Sequence, residues 1–305
     1  MKRLLISILT VLFPLLLLGQ MFPLSDHYGY NALAINPAFA GYNNALSITA
    51  LHRNQWVGFK DAPKSYMLSV HTPVDNDRIG LGLLIEKNSI GIFRETSFIG
   101  NYAYRMKLFD GKLSLGLGFG VTLFNIAWNE LITVDAGDNQ LINNPTSSIL
   151  PTISLGTYYY TKKYFIGISI PRVLSYELDK SVGKYKIRSS FTECTYFLTG
   201  GYEFTLSDQI KFLPSILIKY YPKNVVQVDF NVQINLKDRV WIGVGYRSKN
   251  MLVGIAQFQI NNQLKIVYSY DFNLDMLGKY TNGSHEIGLN YIFRFPVSAE
   301  GPRQF

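Results

Sequence analysis

The sequence predicts an all-β protein, a transmembrane antiparallel β-barrel of about fourteen strands with a short N-terminal extended segment. Three observations carry that prediction. Apolar and polar residues alternate with period two along most of the chain. Tight turns alternate with longer connections between the alternating segments. An export signal opens a chain in which only 16% of residues are charged, against about 25% in ordinary soluble proteins.

Met1, Lys2 and Arg3 form a cationic start, and an apolar run from Leu4 to Leu18 precedes Gly19 and Gln20. That order is the layout of a cleavable signal peptide. Residues 1–19 are read as the signal, with cleavage after Gly19. A membrane helix is the competing reading, but the run is short of the about 20 residues a span requires. No later stretch is apolar over such a length, so a closed barrel is the remaining way to satisfy backbone hydrogen bonds in lipid. Residues 20–44 are expected at the lumen or the periplasmic mouth, 45–294 in the barrel and 295–305 in a C-terminal tail.

The clearest strand places Leu113, Leu115, Leu117, Phe119, Val121 and Leu123 on one face, with Ser114, Gly116, Gly118, Gly120 and Thr122 on the other. A second sets Val226, Val228, Phe230, Val232, Ile234 and Leu236 against Gln227, Asp229, Asn231, Gln233 and Asn235. In a membrane barrel the apolar face meets lipid and the polar face lines the lumen. Strands are expected near 45–54, 64–74, 77–86, 95–107, 112–125, 148–160 and 163–172. The second half continues with 191–204, 209–221, 224–236, 239–247, 251–260, 263–273 and 283–294. Tight inner turns fall at Asp75-Asn76, Asp110-Gly111, Thr161-Lys162, Thr205 to Asp208, Lys237-Asp238 and Asn261-Asn262. Long outer connections run from Gln55 to Pro63, Ile126 to Ser147, Val173 to Ser190 and Leu274 to Asn282. Short periplasmic turns and longer outer loops are the asymmetry of such barrels. Tyr158, Tyr159, Tyr160 and Tyr164 gather at one turn and read as part of an interfacial aromatic girdle.

Catalytic constellations are missing from the sequence. His27, His52, His71 and His285 stand apart without zinc-type spacing. The glycine string at 116, 118 and 120 sits in a strand, not ahead of a phosphate-cradling helix. Asp135 and Asp138 lack the further oxygen ligands of a calcium loop. The lone Cys194 excludes an internal disulfide framework and reads as a small side chain on a strand. The expectation is a protein without enzymatic activity, catalytic residues, metal or cofactor. The formal charge of +8 is spread along the chain rather than gathered into a nucleic-acid patch. Arg105, Glu193, Glu203, Asp229, Arg247, Lys265, Asp271 and Glu286 are expected inside the barrel, as a hydrogen-bonded network or as a surface for a threaded partner.

Asn36-Pro37-Ala38-Phe39-Ala40-Gly41 precedes the first strand, and Arg53-Asn54-Gln55-Trp56-Val57-Gly58-Phe59 leads through Ala62-Pro63-Lys64 into the second. Further motifs follow: Tyr164 to Pro171, Gly200-Gly201-Tyr202-Glu203, Trp241 to Arg247, Tyr268-Ser269-Tyr270-Asp271 and Gly283-Ser284-His285-Glu286. Together these resemble the PorP/SprF family over nearly all of the mature chain. Asn36, Pro37, Ala38, Gly41, Arg53, Gln55 and Trp56 carry the most specific part of the likeness. The resemblance implies an outer-membrane protein of the type IX secretion system of Bacteroidetes. Such a protein assists export or surface attachment of particular secreted proteins, among them adhesins of gliding motility. A channel for small hydrophobic molecules, similar to the fatty-acid transporter barrels, is the alternative. The expected partners are a secreted cell-surface protein or adhesin, other secretion components and outer-membrane lipid. Trp56, Phe59 and Lys64 are candidates for the protein-binding surface. Lys184, Lys186 and Arg188, in a loop that also holds Lys180, would steer an acidic partner or meet lipid headgroups.

Overall fold

The computed structural model describes Tyr28 and residues 31–74, 77–130, 147–179, 184–222, 225–248 and 250–293. The expected signal peptide with its expected cleavage site, the expected Asp75-Asn76 turn, Asp135, Asp138, Lys180 and residues 294–305 lie outside the described residues. For Lys184 and Arg188 only the strand position is described.

The first half of the chain supplies β1 (Leu46–Asn54), β2 (Lys64–Val74), β3 (Ile79–Ile90), β4 (Phe93–Leu108), β5 (Gly111–Ile126), β6 (Ser147–Tyr160) and β7 (Tyr164–Ile170). A separate hairpin of β8 (Ser175–Asp179) and β9 (Lys184–Arg188) follows. The second half supplies β10 (Tyr196–Tyr202), β11 (Phe204–Ser207), β12 (Ile210–Tyr221), β13 (Val225–Leu236), β14 (Val240–Arg247), β15 (Met251–Gln259), β16 (Leu264–Asn273) and β17 (Ser284–Phe293). Both β10 and β11 pair with β12, so they are two pieces of one stave interrupted at Glu203. The ring closes where β1 pairs with β17 and β7 with β10, giving a barrel of fourteen staves.

Alternation becomes an inside and an outside. On β5, Leu115, Leu117, Phe119, Val121 and Leu123 are exposed on the outer surface, while Ser114 and Thr122 are fully buried. On β13, Val226, Phe230 and Ile234 face out and Gln227, Asp229, Asn231 and Asn235 are buried inside. Register keeps the faces continuous around the ring. Leu117 lies opposite Tyr102 on one side and Leu155 on the other, all three exposed on the lipid side. A slip of one residue would carry this whole apolar row into the lumen.

The outer rim is uneven. β4 and β5 have 16 residues each, whereas β14 has 8. Leu155 in the middle of β6 pairs with Ile170, the last residue of β7, so residues 147–154 rise past the end of β7. The chain beyond β7 stays tied to β6 by Val173 N–H donating to Ile153 O at 2.8 Å. The hairpin then turns toward the mouth, where Tyr185 stacks on Phe124 with ring centroids 6.4 Å apart.

Several local expectations shift. The inner turn expected at Asp110-Gly111 sits at Phe109-Asp110, because Leu108 pairs directly with Gly111. Phe109 takes the positive φ of 51°, and Gly111 serves as a strand residue beside the Tyr159 ring. The Lys237-Asp238 turn has both residues at positive φ, 53° and 52°, as a type I′ hairpin requires. The connection from Val173 to Ser190 holds the β8–β9 hairpin instead of an irregular loop. Residues Phe191–Glu193 form a 3-10 turn, so Cys194 caps that turn and is not on a strand. Of the four girdle tyrosines, Tyr158 is buried inside and Tyr160 is half-buried beside it, while Tyr164 is exposed. Strand parity decides this: Tyr158 and Tyr160 share a face with the buried Ser154.

The lipid face generates the first prediction. Leu117→Arg puts a cation mid-band on the lipid side, at a cost of about 2–4 kcal/mol. Gly118→Ser points inward, where its new atoms would push aside the flexible ends of Ser154 and Asn101, an overpacking cost of about 1–3 kcal/mol. The serine variant is expected to insert with a lowered unfolding temperature, and the arginine variant to insert poorly. A heat-modifiability gel of outer-membrane fractions ranks the two.

Candidate functional site

The lumen is occupied by the segment that precedes β1. Two 3-10 turns, Ala32–Ala34 and Pro37–Phe39, form within it. The second is encoded locally. Asn36 Oδ1 accepts the Ala38 N–H at 3.0 Å as an N-cap, and Pro37 stands at the first position, where no N–H is needed. The other end of the Asn36 amide reaches the wall, donating to Thr157 O at 2.9 Å. Ser114 Oγ donates to Ala38 O and Ser169 Oγ to Ile35 O, each at 2.6 Å. Arg105 closes the inner end by donating to Gly41 O at 2.5 Å. Gly41 N–H in turn donates to His71 Nδ1 at 3.2 Å.

This plug approaches the wall backbone to backbone. A Cβ on Gly116 would overlap the main chain of Ala38, and one on Gly156 would overlap the Asn36 amide. The glycine string of β5 is therefore a seat for the plug. The hydrophobic core of the molecule lies at this contact: Ala32, Leu33, Ile35, Ala38 and Phe39 pack with Tyr158, Phe197 and Leu217 of the wall. Phe39 stacks on Tyr42 at 4.5 Å between centroids and meets Tyr158 edge-on at 5.7 Å. Burial, with Tyr160 and Glu203 nearby, pushes the Tyr42 hydroxyl above the ordinary tyrosine range, so it stays neutral.

Outward of the plug, six charged groups form one chain across the inner wall. Arg53 donates to Glu286 at 3.0 Å and also to Asp271. Arg247 lies 3.9 Å from Asp271 and 3.1 Å from Asp229. Lys219 completes the chain at 2.6 Å from Asp229. Gln55, with its amide oxygen turned to Arg53, accepts from Nη2 at 3.3 Å and Nε at 3.2 Å. Three cations alternate with three carboxylates, all almost fully buried. Tyr28 ties the plug to this chain by donating to Asp229 O at 3.5 Å.

The interior charges expected from alternation divide accordingly. Arg105, Asp229, Arg247, Asp271 and Glu286 are buried in the lumen. Lys265 sits over the Trp241 ring, 3.7 Å from its centroid. Glu203 lies at the break between β10 and β11, 3.5 Å from Lys211. Glu193 is corrected: it lies exposed on the 3-10 turn before β10 and accepts from Ser175 Oγ at 2.8 Å. Lys219 was missed because Tyr220 and Tyr221 beside it mask the strand's parity, and Arg53 was read only as part of a motif.

The candidate partner residues lie in two places. Trp56 and Phe59 belong to the β1–β2 connection and Lys64 opens β2, while Lys184, Lys186 and Arg188 lie on β9, between staves half-way round the ring. The first loop is braced: Val57 N–H donates to Gly283 O and Asn282 N–H to Val57 O, both at 2.8 Å, and Gly91 N–H donates to Asp61 O at 2.9 Å. Trp56 is held at φ 47°, a left-handed conformation that costs a bulky side chain about 1–2 kcal/mol. Phe59 and Lys64 are exposed, and Phe59 lines a shallow groove with Ile90 and Leu277. Glu177 lies opposite the exposed Lys186, and Asp179 opposite Lys184, in the hairpin register, so acidic residues accompany the basic ones. Burial pushes the Cys194 thiol up, with Glu193 adding to the shift, which disfavours a reactive thiolate.

Between the plug, the wall and the hairpin lies a cavity of about 480 Å³. Leu33, Ile35, Leu51, Leu84, Ile99 and Phe197 give it apolar walls, with Arg53, Glu86 and Arg172 among them. No group of three or more metal-ligating side chains occurs among the described residues.

A closed, apolar-banded barrel with a plugged lumen defines an outer-membrane β-barrel protein. Residues 18–291 match the family described as type IX secretion system membrane protein PorP/SprF, and the chain belongs to that family. It is thus an outer-membrane protein of type IX secretion. No curated protein matches the chain. Among solved structures, the Ralstonia pickettii toluene transporter TbuX is similar, with 10% identity and TM-score 0.52, over 86% of this chain and 93% of that one. The CymD monoaromatic hydrocarbon channel is similar with 12% identity and TM-score 0.50, over 91% and 95%. The Acinetobacter baumannii outer membrane protein Omp33 gives 6% identity and TM-score 0.48, over 82% and 99%. At such identities the likeness to TbuX and CymD establishes the fold alone.

Two predictions follow from this geometry. Gly116→Val collides with the backbone of Ala38 and is expected to displace the plug, raising conductance in planar bilayers and exposing the N-terminal segment to protease. Arg53→Leu leaves Asp271 and Glu286 buried with one fewer cation, at a cost of about 3–5 kcal/mol. A lower unfolding temperature on heat-modifiability gels, with insertion preserved, is the expected result.

Proposed function

We propose that this chain is a closed accessory barrel that assists export or surface attachment of particular secreted proteins, such as adhesins, through its outer rim. The observation that carries the reading is the plug. Its side chain and main chain are bonded to the wall at Asn36, Ile35, Ala38 and Gly41, so the lumen is not the path of a folded cargo. What remains for a protein partner is the outer surface, where the braced Trp56–Pro63 loop, leading into Lys64 of β2, presents Phe59 beside Ile90 and Leu277. Exposed aromatic anchors on a rigid support suit protein recognition. Other type IX components are the second class of partner, in keeping with the family. The hairpin, with Lys186 exposed, supplies charge for steering or for headgroup contact.

A channel for small hydrophobic molecules is favoured by one observation, the apolar cavity above the plug. TbuX and CymD, a toluene transporter and a monoaromatic hydrocarbon channel, share the fold. Deletion of the gene, complemented with wild type or Trp56→Ala, separates the two. The accessory reading expects loss of one or a few surface proteins from the surface proteome, with incomplete rescue by Trp56→Ala. An unchanged surface proteome with a defect in hydrocarbon or fatty-acid uptake replaces it with the channel.

A further inference from the structure

We infer that the cavity above the plug is a binding site for an organic cation, an ammonium or guanidinium group on an apolar body, with Glu86 as its counter-ion. The inference rests on one carboxylate that lacks the close ionic contacts made by the charged series on the opposite wall. On the β12–β1 wall, Arg53, Arg247 and Lys219 balance Glu286, Asp271 and Asp229. On the facing wall, Arg172 is engaged by Glu95. Ser97, directly across from Glu86 in the register, spends its hydroxyl on Thr122 at 2.9 Å and Glu95 at 3.4 Å. Met67, across on the other side, accepts from Asn31 at 3.0 Å. Glu86 therefore lines the cavity as the carboxylate without a hydrogen-bonded or ion-paired partner among the described residues.

The charges of Arg172 and Glu95 act on Glu86 in opposite senses, and a carboxylate against apolar walls that neither a cation nor a donor contacts is costly, a cost that a bound cation removes. The rest of the cavity specifies the ligand's body. Leu33, Leu84 and Ile99 offer aliphatic surface, and Tyr176 and Tyr185 of the hairpin bring aromatic rings to the same space. Aromatic faces attract cations. A volume of about 480 Å³ falls within the about 300–1,000 Å³ of small-ligand pockets. The cation has two possible sources: a Lys or Arg side chain carried on an apolar segment of a protein partner, or a free hydrophobic amine. The site stands independently of the export role, since the binding test uses the purified barrel alone.

The test compares three probes of one shape, 4-phenylbutylamine, 4-phenylbutanol and 4-phenylbutyrate. They are titrated calorimetrically into the full chain in zwitterionic nanodiscs, with empty nanodiscs subtracted. The amine is expected to bind roughly tenfold or more tighter than the alcohol, with the carboxylate weakest. Glu86→Gln should bring the amine to the level of the alcohol, with the barrel's heat-modifiability unchanged. Ala34→Phe, which fills the cavity from the plug side, should weaken all three. Equal affinities of the probes, no binding, or an amine preference that survives Glu86→Gln overturns the inference. Adding 4-phenylbutylamine to the tagged protein in native membrane extracts then assigns the source. Release of a co-purified protein identifies a partner's basic side chain, and retention identifies a free amine.

Discussion

Fourteen staves enclose more space than wall side chains fill. A small barrel closes its own interior, and a wider one must hold water, a ligand or a plug. This chain fills the inner part of the lumen with its own residues before β1, and much of the remaining architecture answers to that choice. Glycines stand in the wall where the plug's main chain comes nearest. Serines stand where its carbonyls need donors. Inward tyrosines, which in an open pore would meet water, instead pack on Phe39 and Tyr42. The molecule thereby acquires an apolar core inside a barrel whose outer band is also apolar.

Above the plug the same low-dielectric interior sets the terms for charge. Single charges there would be expensive to bury. The alternating series from Glu286 to Lys219 gives each interior group an opposite neighbour, and Gln55 and Gln227 supply further hydrogen bonds. The series crosses several staves and joins β1 to β17 at the seam where the two ends of the barrel meet. It therefore fixes register at the closure as well as compensating charge. The Arg53-x-Gln55-Trp56 segment has a physical basis in this seam: Arg53 and Gln55 are lumen groups, and Trp56 begins the braced outer loop.

Uneven stave heights shape the mouth. Long β3–β6 strands raise one wall, and short β14 and β15 strands lower the other. The drop between β6 and β7 leaves room for the hairpin to lean inward over the cavity. Rim loop and hairpin thus work at opposite sides of one opening, the first held by backbone hydrogen bonds to its neighbours and the second resting on Phe124.

The sequence by itself determined the staves, their number and which face meets lipid, because a strand's two faces are set by residue parity and lipid demands an apolar one. Asn36, Pro37 and Gly41 were legible as a motif and Phe59 as an exposed aromatic, whereas Trp56, expected beside it on the surface, is half-buried. What the motif does was not legible. That Gly116 and Gly156 seat the plug, that Tyr158 faces inward onto Phe39, and that Lys219 and Arg53 extend one ion chain are meetings of residues far apart in sequence. Local periodicity assigns a side chain to a face but carries no information about what lies across a closed lumen. Only ring closure brings β1 against β17 and the N-terminal segment against β5 and β6, so the tertiary structure alone decided which inward groups are paired and which, like Glu86, face a cavity.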